Sequence, residues 1–372
     1  MTQPELILIT GGAGFIGSHL ARSLVGLGQS VRVLDRLEEQ VHEGSLPDLD
    51  GVELVRGDVV DREIVDASLD GVSQVVHFAS AVGVGQSMYE IVRYCRTNVM
   101  GTAVLLEALA HRRDSIRKLL VASSMSIYGE GSYRCPACDV YREQERRPQD
   151  LAAGLWEPFC AHCGGKLIPI PTQESKSLRP SSVYAVNKRD QEELCLCVGR
   201  AYGIPTIALR FFNVYGPGQA LGNPYTGAAA IFAARLLADA PPLIFEDGIQ
   251  TRDLINVKDV VEACVKALSS DVADLALNVG TGRAVSVGEI AAALRATLGG
   301  PPAEILGIFR AGDIRHCFAD ASAARALLGW EAKISFEEGM QDLAQWLGSQ
   351  TGDARRQVLA MSELRTRGLL GH

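Results

Sequence analysis

The sequence predicts an α/β protein built on a doubly wound parallel sheet. Three observations support this: short apolar runs recur along residues 6–123, helix-period segments separate them, and a glycine-rich turn follows the first run. Buried parallel strands form continuous apolar runs, and strands that alternate with helices form βαβ units. With 372 residues, of which 47% are hydrophobic, the chain is long enough for a two-lobed globular protein.

The apolar runs and the helical periodicity define the elements in order. The predicted strands are 6–10, 31–35, 52–57, 75–79, 118–123 and 206–210, and helices are predicted over 18–27, 97–111 and 184–202. Residues 1–132 and 172–210, with parts of 250–282, are assigned to the sheet domain. The other predicted parts are an insertion over 133–171, a smaller interleaved α/β substrate lobe over 211–249 and 283–347, and a polar tail over 348–372, which we expect to be a frayed helix.

Composition and charge argue against several classes of protein. A net charge of −8 argues against a nucleic-acid binder. No apolar run approaches the roughly 18–20 residues that span a bilayer, and the N-terminus lacks the pattern of a signal peptide. We therefore expect a cytoplasmic protein without a membrane or nucleic-acid partner, in which nine cysteines do not form a disulfide framework.

The glycine-rich turn predicts a dinucleotide site. Gly11, Gly14 and Gly17 follow the first strand and open a helix, which lets backbone N–H groups approach a pyrophosphate. Asp35, at the end of the second strand, can accept the ribose hydroxyls and repel a 2′-phosphate, which favours NAD over NADP. Two alternatives stay open: Arg36 can pair with a 2′-phosphate or be a solvated charge. Asp58 can accept the adenine amino group or merely cap a turn.

Tyr184 and Lys188 are four residues apart on one helical face. A phenol with a pKa near 10 is a poor base at neutral pH, but a nearby ammonium and an oxidised nicotinamide both favour the phenolate. Ser123 and Ser124 end a strand and can supply a hydroxyl to the reacting oxygen. Each of these features also occurs in a purely structural role.

Together these residues resemble the extended short-chain dehydrogenase/reductase family, in particular the NAD-dependent nucleotide-sugar epimerases and dehydratases of the UDP-galactose 4-epimerase type. The resemblance covers about residues 5–345 apart from the insertion, and it includes the segments 98–102, 209–217, 251–254 and 310–313. It implies a Rossmann-type fold, bound NAD, a nucleotide-sugar substrate and a homodimer formed through the Tyr184 helix and the helix near 97–111.

The resemblance also implies roles for individual residues. Tyr184 is the general base, Lys188 orients it and holds the nicotinamide ribose, and Ser124 is the catalytic hydroxyl. Asn98 braces the cofactor region, and further cofactor contacts are expected from Phe15, Ile16, Val59, Phe78, Ala79, Ser80 and Ser123. The expected substrate contacts are Ser124, Ser126, Asn213, Arg252, Arg310 and Asp313.

The residues after Ser124 indicate the reaction. The 4,6-dehydratases carry Asp-Glu where this chain has Met125-Ser126, the related decarboxylases carry Glu in place of Ser126, and the 3,5-epimerases carry Cys there. A 4-epimerase needs no additional acid or base. We therefore expect an isomerase that oxidises C4 transiently and returns the hydride to the opposite face. A 4-ketoreductase, dehydrogenase or dehydratase of the same family is the alternative, and a non-catalytic NAD-sensing scaffold is a remote one.

Four of the cysteines predict a structural Zn²⁺ site. Cys135 and Cys138 form one Cys-x-x-Cys pair, and Cys160 and Cys163 form a second pair, separated from the first by 21 residues. Two such pairs can complete a tetrahedral thiolate shell. Two disulfides or a redox pair are the alternatives, and His162 is an alternative ligand. We expect the zinc-clipped insertion to border the sugar pocket or the dimer surface, and Cys95, Cys195, Cys197, Cys264 and Cys317 to be buried free thiols.

Overall fold

The computed structural model describes residues 5–42, 47–139, 141–142, 145–221, 227–348, 350 and 355–371. Among these residues a central parallel sheet contains the strands β1 Leu6–Thr10, β2 Ser30–Asp35, β3 Val52–Arg56, β4 Val72–His77, β5 Lys118–Ser124, β6 Thr206–Phe211 and β7 Leu275–Val279. The strands lie in the order β3-β2-β1-β4-β5-β6-β7. The chain winds outward from β1 in both directions, so the predicted doubly wound sheet is confirmed.

Helices cover both faces of the sheet because its strands are apolar on both sides. One face packs against α1 (Phe15–Gly26) and the helix Val257–Ser269, and the other against α2 (Gly101–His111) and α3 (Val183–Tyr202). The remaining helical segments around the sheet are Glu39–His42, Arg62–Ser68, Val84–Ser87, Ile91–Tyr94, a π-helical turn Cys95–Met100, the 3₁₀ turns Arg113–Ser115 and Met125–Tyr128, and Ser322–Leu328.

Sequence reasoning did not predict β7. Its sequence is LALNV, in which Asn278 interrupts the apolar run. The structure explains this buried polar residue, because the Asn278 amide nitrogen donates to the backbone oxygens of Thr172 and Asp320, at 2.9 and 3.1 Å. Asn278 therefore connects the edge of the sheet to two segments. One follows the insertion at Thr172, and the other precedes the helix Ser322–Leu328 at Asp320.

A second apolar core lies beside the sheet. Its helices are Ala228–Leu237, Val287–Leu298 and Phe336–Leu347. Short strand pairs surround it: Leu243–Ile244 with Glu304–Ile305, Asn213–Tyr215 with Leu254–Asn256, and Thr251–Arg252 with both Val285–Ser286 and His316–Cys317. The boundaries that the sequence suggests for the domains stay predictions.

The insertion forms a small sheet of its own. Strand Ser132–Arg134 pairs with Tyr141–Arg142 on one side and Ile168–Ile170 on the other, and a short helix covers Pro148–Ala152. Its apolar core contains little besides Tyr133, Leu167 and two cysteines.

The C-terminal tail differs from the expected frayed helix. Helix α4 (Arg355–Thr366) buries Ala360 and Leu364, and strand Leu370–Gly371 pairs antiparallel with Phe309–Arg310. The Tyr89 hydroxyl donates to a Glu363 carboxylate oxygen at 2.6 Å. The tail thus contacts the rest of the chain through two buried apolar side chains, a short strand pair and this hydrogen bond. Nowhere in the described part of the chain is a helix both long and apolar enough to span a membrane.

Asp253 connects three loops at the end of the sheet. Its fully buried carboxylate accepts hydrogen bonds from the backbone N–H groups of Thr281, Gly282 and Ala319 and from the Thr281 hydroxyl, over 2.7–3.0 Å. Burial raises the pKa of this carboxyl, and the four donors act in the opposite direction.

We expect Asp253→Asn to lower the free energy of unfolding by about 2–4 kcal/mol, because an amide nitrogen cannot accept from the buried N–H groups that face it. Urea denaturation measures this. The control is Asp114→Asn, whose side chain is 95% exposed and which should change stability by less than about 0.5 kcal/mol. A loss below about 1 kcal/mol for Asp253→Asn would contradict the structural role.

Candidate functional site

A cavity of about 450 Å³ opens at the carboxyl ends of the central strands. It is lined by the β1–α1 turn, the ends of β2 to β6, and two side chains of α3. Among the predicted site residues, those lining it are Gly11, Gly14, Phe15, Ile16, Gly17, Asp35, Arg36, Asp58, Val59, Phe78, Ala79, Ser80, Ser123, Ser124, Ser126, Tyr184, Lys188 and Asn213. Asn98, Arg252, Arg310 and Asp313 lie outside this lining.

The glycines of the β1–α1 turn are required by close backbone contacts. Gly11 has φ +70°, and a Cβ there would lie 2.7 Å from the Ala79 nitrogen. A Cβ on Gly17 would lie 2.6 Å from the Gly11 oxygen. The first residue before α1, Gly14, has no side chain to cap the helix, so the N–H groups of the first turn stay available to an anion. The turn therefore fits a dinucleotide pyrophosphate.

Asp35 and Arg36 lie at the far end of the same cavity. The Asp35 carboxylate accepts from the N–H groups of Ala13 and Leu37, at 3.1 and 2.9 Å, which directs it into the turn. The Arg36 guanidinium pairs with Glu38 and lies 3.7 Å from an Asp58 oxygen. Two carboxylates thus compensate the Arg36 charge, which argues against the alternative that it binds a 2′-phosphate.

Asp58 combines both interpretations of its position. One carboxylate oxygen accepts a hydrogen bond from the Val60 N–H at 3.2 Å, so Asp58 caps a turn, which was one of its two predicted roles. The residue also lines the cavity, so the structure permits an adenine contact as well.

The catalytic candidates meet in the middle of the cavity. Burial raises the pKa of the Tyr184 phenol, while a side-chain hydrogen bond with Ser124 lowers it. The Ser124 hydroxyl in turn accepts from the Ser126 hydroxyl at 2.9 Å and from its N–H at 3.2 Å. Burial lowers the pKa of Lys188 to about 8. The described carboxyl groups of the lining are Asp35, Glu38 and Asp58, on the β2–β3 side, so no acid other than Tyr184 stands beside Ser124.

Sequence reasoning missed the residues behind Lys188. The Lys188 ammonium donates to the Gln191 side-chain oxygen at 2.8 Å, and the Gln191 nitrogen lies 3.0 Å from the Thr102 hydroxyl and 3.2 Å from His77 Nε2. Burial, together with the charge of Lys188, lowers the pKa of His77 to about 3, so its ring is neutral. Gln191 lies one turn after Lys188 on the same helical face, and this spacing could have predicted their contact from the sequence.

Asn98 acts on the cavity from outside its lining. It lies in the π-helical turn Cys95–Met100, and its side chain accepts from the Ala81 N–H at 2.7 Å and donates to the Ala81 oxygen at 3.1 Å. This pair of bonds holds the loop after β4, which lines the cavity. A π turn of this kind often occurs at functional sites.

Arg252, Arg310 and Asp313 form a second group. The Asp313 carboxylate pairs with Arg252 at 3.1 Å and with Arg310 at 2.8 Å. Burial alone would raise the pKa of Asp313, but the two guanidinium groups hold it well below its usual range. Arg310 also lies over the Phe245 ring, 4.6 Å from its centre. The structure therefore brings together three of the four residues expected to hold the nucleotide diphosphate and its ribose, while the fourth, Asn213, lines the cavity.

Two buried oxygens at the cavity have no protein partner among the described residues. They are the Ser123 hydroxyl and the Asn213 side-chain oxygen. A buried polar atom without a partner costs free energy unless a ligand or water satisfies it. Both residues are thus suited to contact a bound cofactor or substrate.

The four cysteines of the insertion form one cluster. The sulfurs of Cys135, Cys138, Cys160 and Cys163 all lie within 4.8 Å of one another. A tetrahedral zinc–thiolate site, with Zn–S bonds of about 2.3 Å, has sulfurs about 3.8 Å apart. The two pairs form the same turn, because the Cys135 oxygen accepts from the Asp139 N–H and the Cys160 oxygen from the Gly164 N–H, both at 2.9 Å.

All nine cysteines are free thiols in the structure, and His162 is exposed outside the cluster. Cys195, Cys264 and Cys317 are buried, as expected. The expectation is wrong for Cys197, which is exposed on α3, and for Cys95, which is only half-buried. Helical periodicity alone does not show which face of these helices is exposed to solvent in the single chain.

Comparison with known proteins gives consistent matches. The model of the NAD-dependent epimerase/dehydratase family matches residues 7–149 and 160–280. The dTDP-L-rhamnose 4-epimerase of Burkholderia thailandensis is 35% identical over 358 residues, which cover 94% of this chain and 97% of that protein. A putative UDP-glucose 4-epimerase of Methanocaldococcus jannaschii is 30% identical and covers 92% of this chain and 98% of its own length.

Solved structures agree in fold. MoeE5 in complex with UDP-glucuronic acid and NAD has a TM-score of 0.74 at 31% identity, covering 91% of this chain and 98% of that one. The UDP-glucose 4-epimerase of Thermus thermophilus, in complex with NAD, has a TM-score of 0.72 at 29% identity, covering 93% of this chain and 100% of that one.

Proposed function

The chain belongs to the NAD-dependent epimerase/dehydratase family, and we propose that it interconverts the C4 epimers of a nucleotide-linked hexose. The observation that carries this is the pairing of Tyr184 with Ser124, beside Lys188, without a further acid or base at Met125 or Ser126. Such a site can move one proton and position one hydride transfer, which suffices for an isomerase. It lacks the groups that elimination of water would need.

The chain's own residues supply the proton chemistry. NAD, when bound, would accept the hydride that leaves C4 of the sugar. Tyr184 takes the proton of the 4-hydroxyl, and Ser124 donates a hydrogen bond to the same oxygen. Burial raises the pKa of the phenol, so its deprotonation depends on the positive charges of Lys188 and of an oxidised nicotinamide. The keto-sugar then rotates so that its opposite face is presented to the nicotinamide. Tyr184 returns the proton to the C4 oxygen as the hydride returns to C4 from that face.

Binding of the nucleotide is assigned to the second group of residues. Guanidinium forks pair bidentately with phosphate oxygens, and Arg252 and Arg310 lie together at Asp313. The Asn213 oxygen at the cavity wall is available to the same ligand. The relatives act on dTDP-L-rhamnose and UDP-glucose, which supports a pyrimidine nucleotide in this chain.

We predict that the purified protein retains NAD and equilibrates the C4 epimers of a dTDP- or UDP-hexose, followed by NMR. Tyr184→Phe should lower kcat by about 10²–10⁴ with nucleotide binding retained, because only the proton acceptor is lost. Tyr202→Phe is the control, since Tyr202 is exposed at the end of the same helix. Stoichiometric consumption of NADH, or equal activity in Tyr184→Phe, would contradict the proposal.

We propose further that the four clustered cysteines bind one structural Zn²⁺. Their sulfur spacing and the repeated turn support this, and so does the small apolar core of the insertion, which folding energy from a metal would supplement. A full thiolate shell leaves no open position for catalysis. A zinc–thiolate site needs cysteines that stay reduced, and we propose the cytoplasm as the reducing compartment.

Metal analysis should find one zinc per chain, and Cys160→Ser should lower that content and make residues 133–171 sensitive to protease, because the insertion depends on the metal. Cys197→Ser, on α3, is the matched control and should change neither. Full zinc content in Cys160→Ser, or a thiol count showing two disulfides, would refute the zinc site.

We also propose a homodimer formed through α3 and the helical run that contains α2. Exposed apolar side chains support it: Val92 is 80% exposed and Met100 56%, and Ile91 and Val186 are exposed as well. A second copy would cover them and form a four-helix bundle.

Light scattering should give twice the chain mass of 39.9 kDa. Val92→Glu should shift the protein towards monomer, because a charge would be buried at the interface. Leu27→Glu is the control, since Leu27 is equally apolar, 60% exposed and at the end of α1. A dimer that tolerates Val92→Glu would place the interface elsewhere.

A further inference from the structure

Arg146 connects the insertion to the second lobe. It lies in the insertion between the two cysteine pairs, and its side chain is only 4% exposed. The guanidinium donates to Glu130 at 2.8 Å and pairs with Glu246 at 2.8 Å. Its remaining nitrogen donates to the backbone oxygen of Asp313 at 3.0 Å. One side chain of the insertion thus holds the loop that carries a predicted nucleotide contact.

Arg315 makes the reciprocal connection from that loop. Its side chain is fully buried and pairs with Glu157 of the insertion, whose oxygen accepts from Nε at 2.9 Å. The same guanidinium contacts Glu246 at 3.0 Å and Asp247 at 2.6 Å. The Arg315 backbone N–H donates to Glu130 at 2.9 Å. Arg146, Arg315, Glu130, Glu157, Glu246 and Asp247 together form what we call the bridging cluster.

The bridging cluster adjoins the two arginines expected to hold the diphosphate. The Arg252 guanidinium donates to the backbone oxygens of Ile314 and Arg315, at 2.7 and 3.0 Å, and Arg310 pairs with the Asp313 carboxylate. Both guanidinium groups are therefore oriented by segment 313–315. That segment is in turn held by Arg146 and by Glu130.

We propose that Arg146 is a positioning residue for nucleotide-sugar binding, through which the metal-clipped insertion sets the diphosphate-binding arginines. The inference rests on the proposed function, because it assigns the diphosphate to Arg252 and Arg310. Arg146 does not touch the cavity that contains Tyr184 and Ser124. It therefore affects how tightly the nucleotide is held, and the proton chemistry at Tyr184 is independent of it.

Replacing Arg146 with lysine separates the effect of its hydrogen-bond geometry from the effect of its positive charge. Arg146→Lys keeps the positive charge between Glu130 and Glu246, but one ammonium cannot donate to both carboxylates and to the Asp313 oxygen in the fork geometry of arginine. We expect the KM for the nucleotide sugar, and the Kd for the free nucleoside diphosphate measured by calorimetry, to rise about tenfold. We expect kcat and the amount of retained NAD to stay unchanged.

The matched control is the neighbouring residue. The Arg147 side chain is 72% exposed and pairs only with Asp150 among the described residues, so Arg147→Lys should leave KM and Kd unchanged. Wild-type protein stripped of zinc should lose affinity for the nucleoside diphosphate in the same way as Arg146→Lys. Glu157→Gln is a second, milder variant, because Arg315 keeps Glu246 and Asp247, and it should raise Kd by a smaller factor.

Several results would overturn the inference. Unchanged Kd in Arg146→Lys and Glu157→Gln would refute it. So would a fall in kcat or in retained NAD at constant KM, since that is the signature of a general structural defect. If the wild type binds the nucleoside diphosphate but epimerises no sugar, the proposed function fails, while the calorimetric comparison still tests the role of Arg146.

Discussion

All seven strands of the central sheet run parallel, and the site depends on this constraint. The carboxyl ends of parallel strands meet at one edge, so residues far apart in the chain are brought to one cavity. Gly11 follows β1, Ser124 ends β5, and Tyr184 enters from the helix that leads to β6. The glycine-rich turn and Tyr184, to which we assign cofactor binding and proton transfer, therefore lie on rigid elements. Catalysis depends on such fixed positions of the reacting groups.

The β1–α1 turn packs closely against the loop after β4, and this contact fixes the position of both at the edge of the sheet. The turn passes so near Ala79 that a side chain at Gly11 has no space. Asn98 fixes the same loop from the other side by two hydrogen bonds to Ala81. Behind α3, the contacts of Gln191 with Lys188, Thr102 and neutral His77 complete a buried polar network in which the ammonium has a partner.

The residues proposed to bind the nucleotide lie in a different part of the molecule. Arg252 and Arg310 each end a strand of only two residues, and Asp313 follows in a loop. Backbone pairing over so few residues specifies little. Buried ion pairs of the bridging cluster hold the segment that contains Asp313. Such pairs contribute little net stability, since desolvation offsets their attraction. The insertion and the tail strand beside Arg310 both contact this region.

Local features of the protein could be predicted from its sequence. Apolar runs set six of the seven sheet strands, the glycine turn set the start of α1, four-residue spacing placed Tyr184 and Lys188 on one face, and two Cys-x-x-Cys pairs implied a four-sulfur cluster. Each of these depends on residues within a turn or two of one another, or on a repeated short motif. Other features arise from contacts between distant parts of the chain. They are the sheet position of β7 with its buried Asn278, the support of Lys188 by Gln191, the exposure of Cys197, and the contact of Arg146 with Asp313, 167 residues away. These depend on which surfaces meet, and a buried charge or amide is placed by partners that no local periodicity reveals.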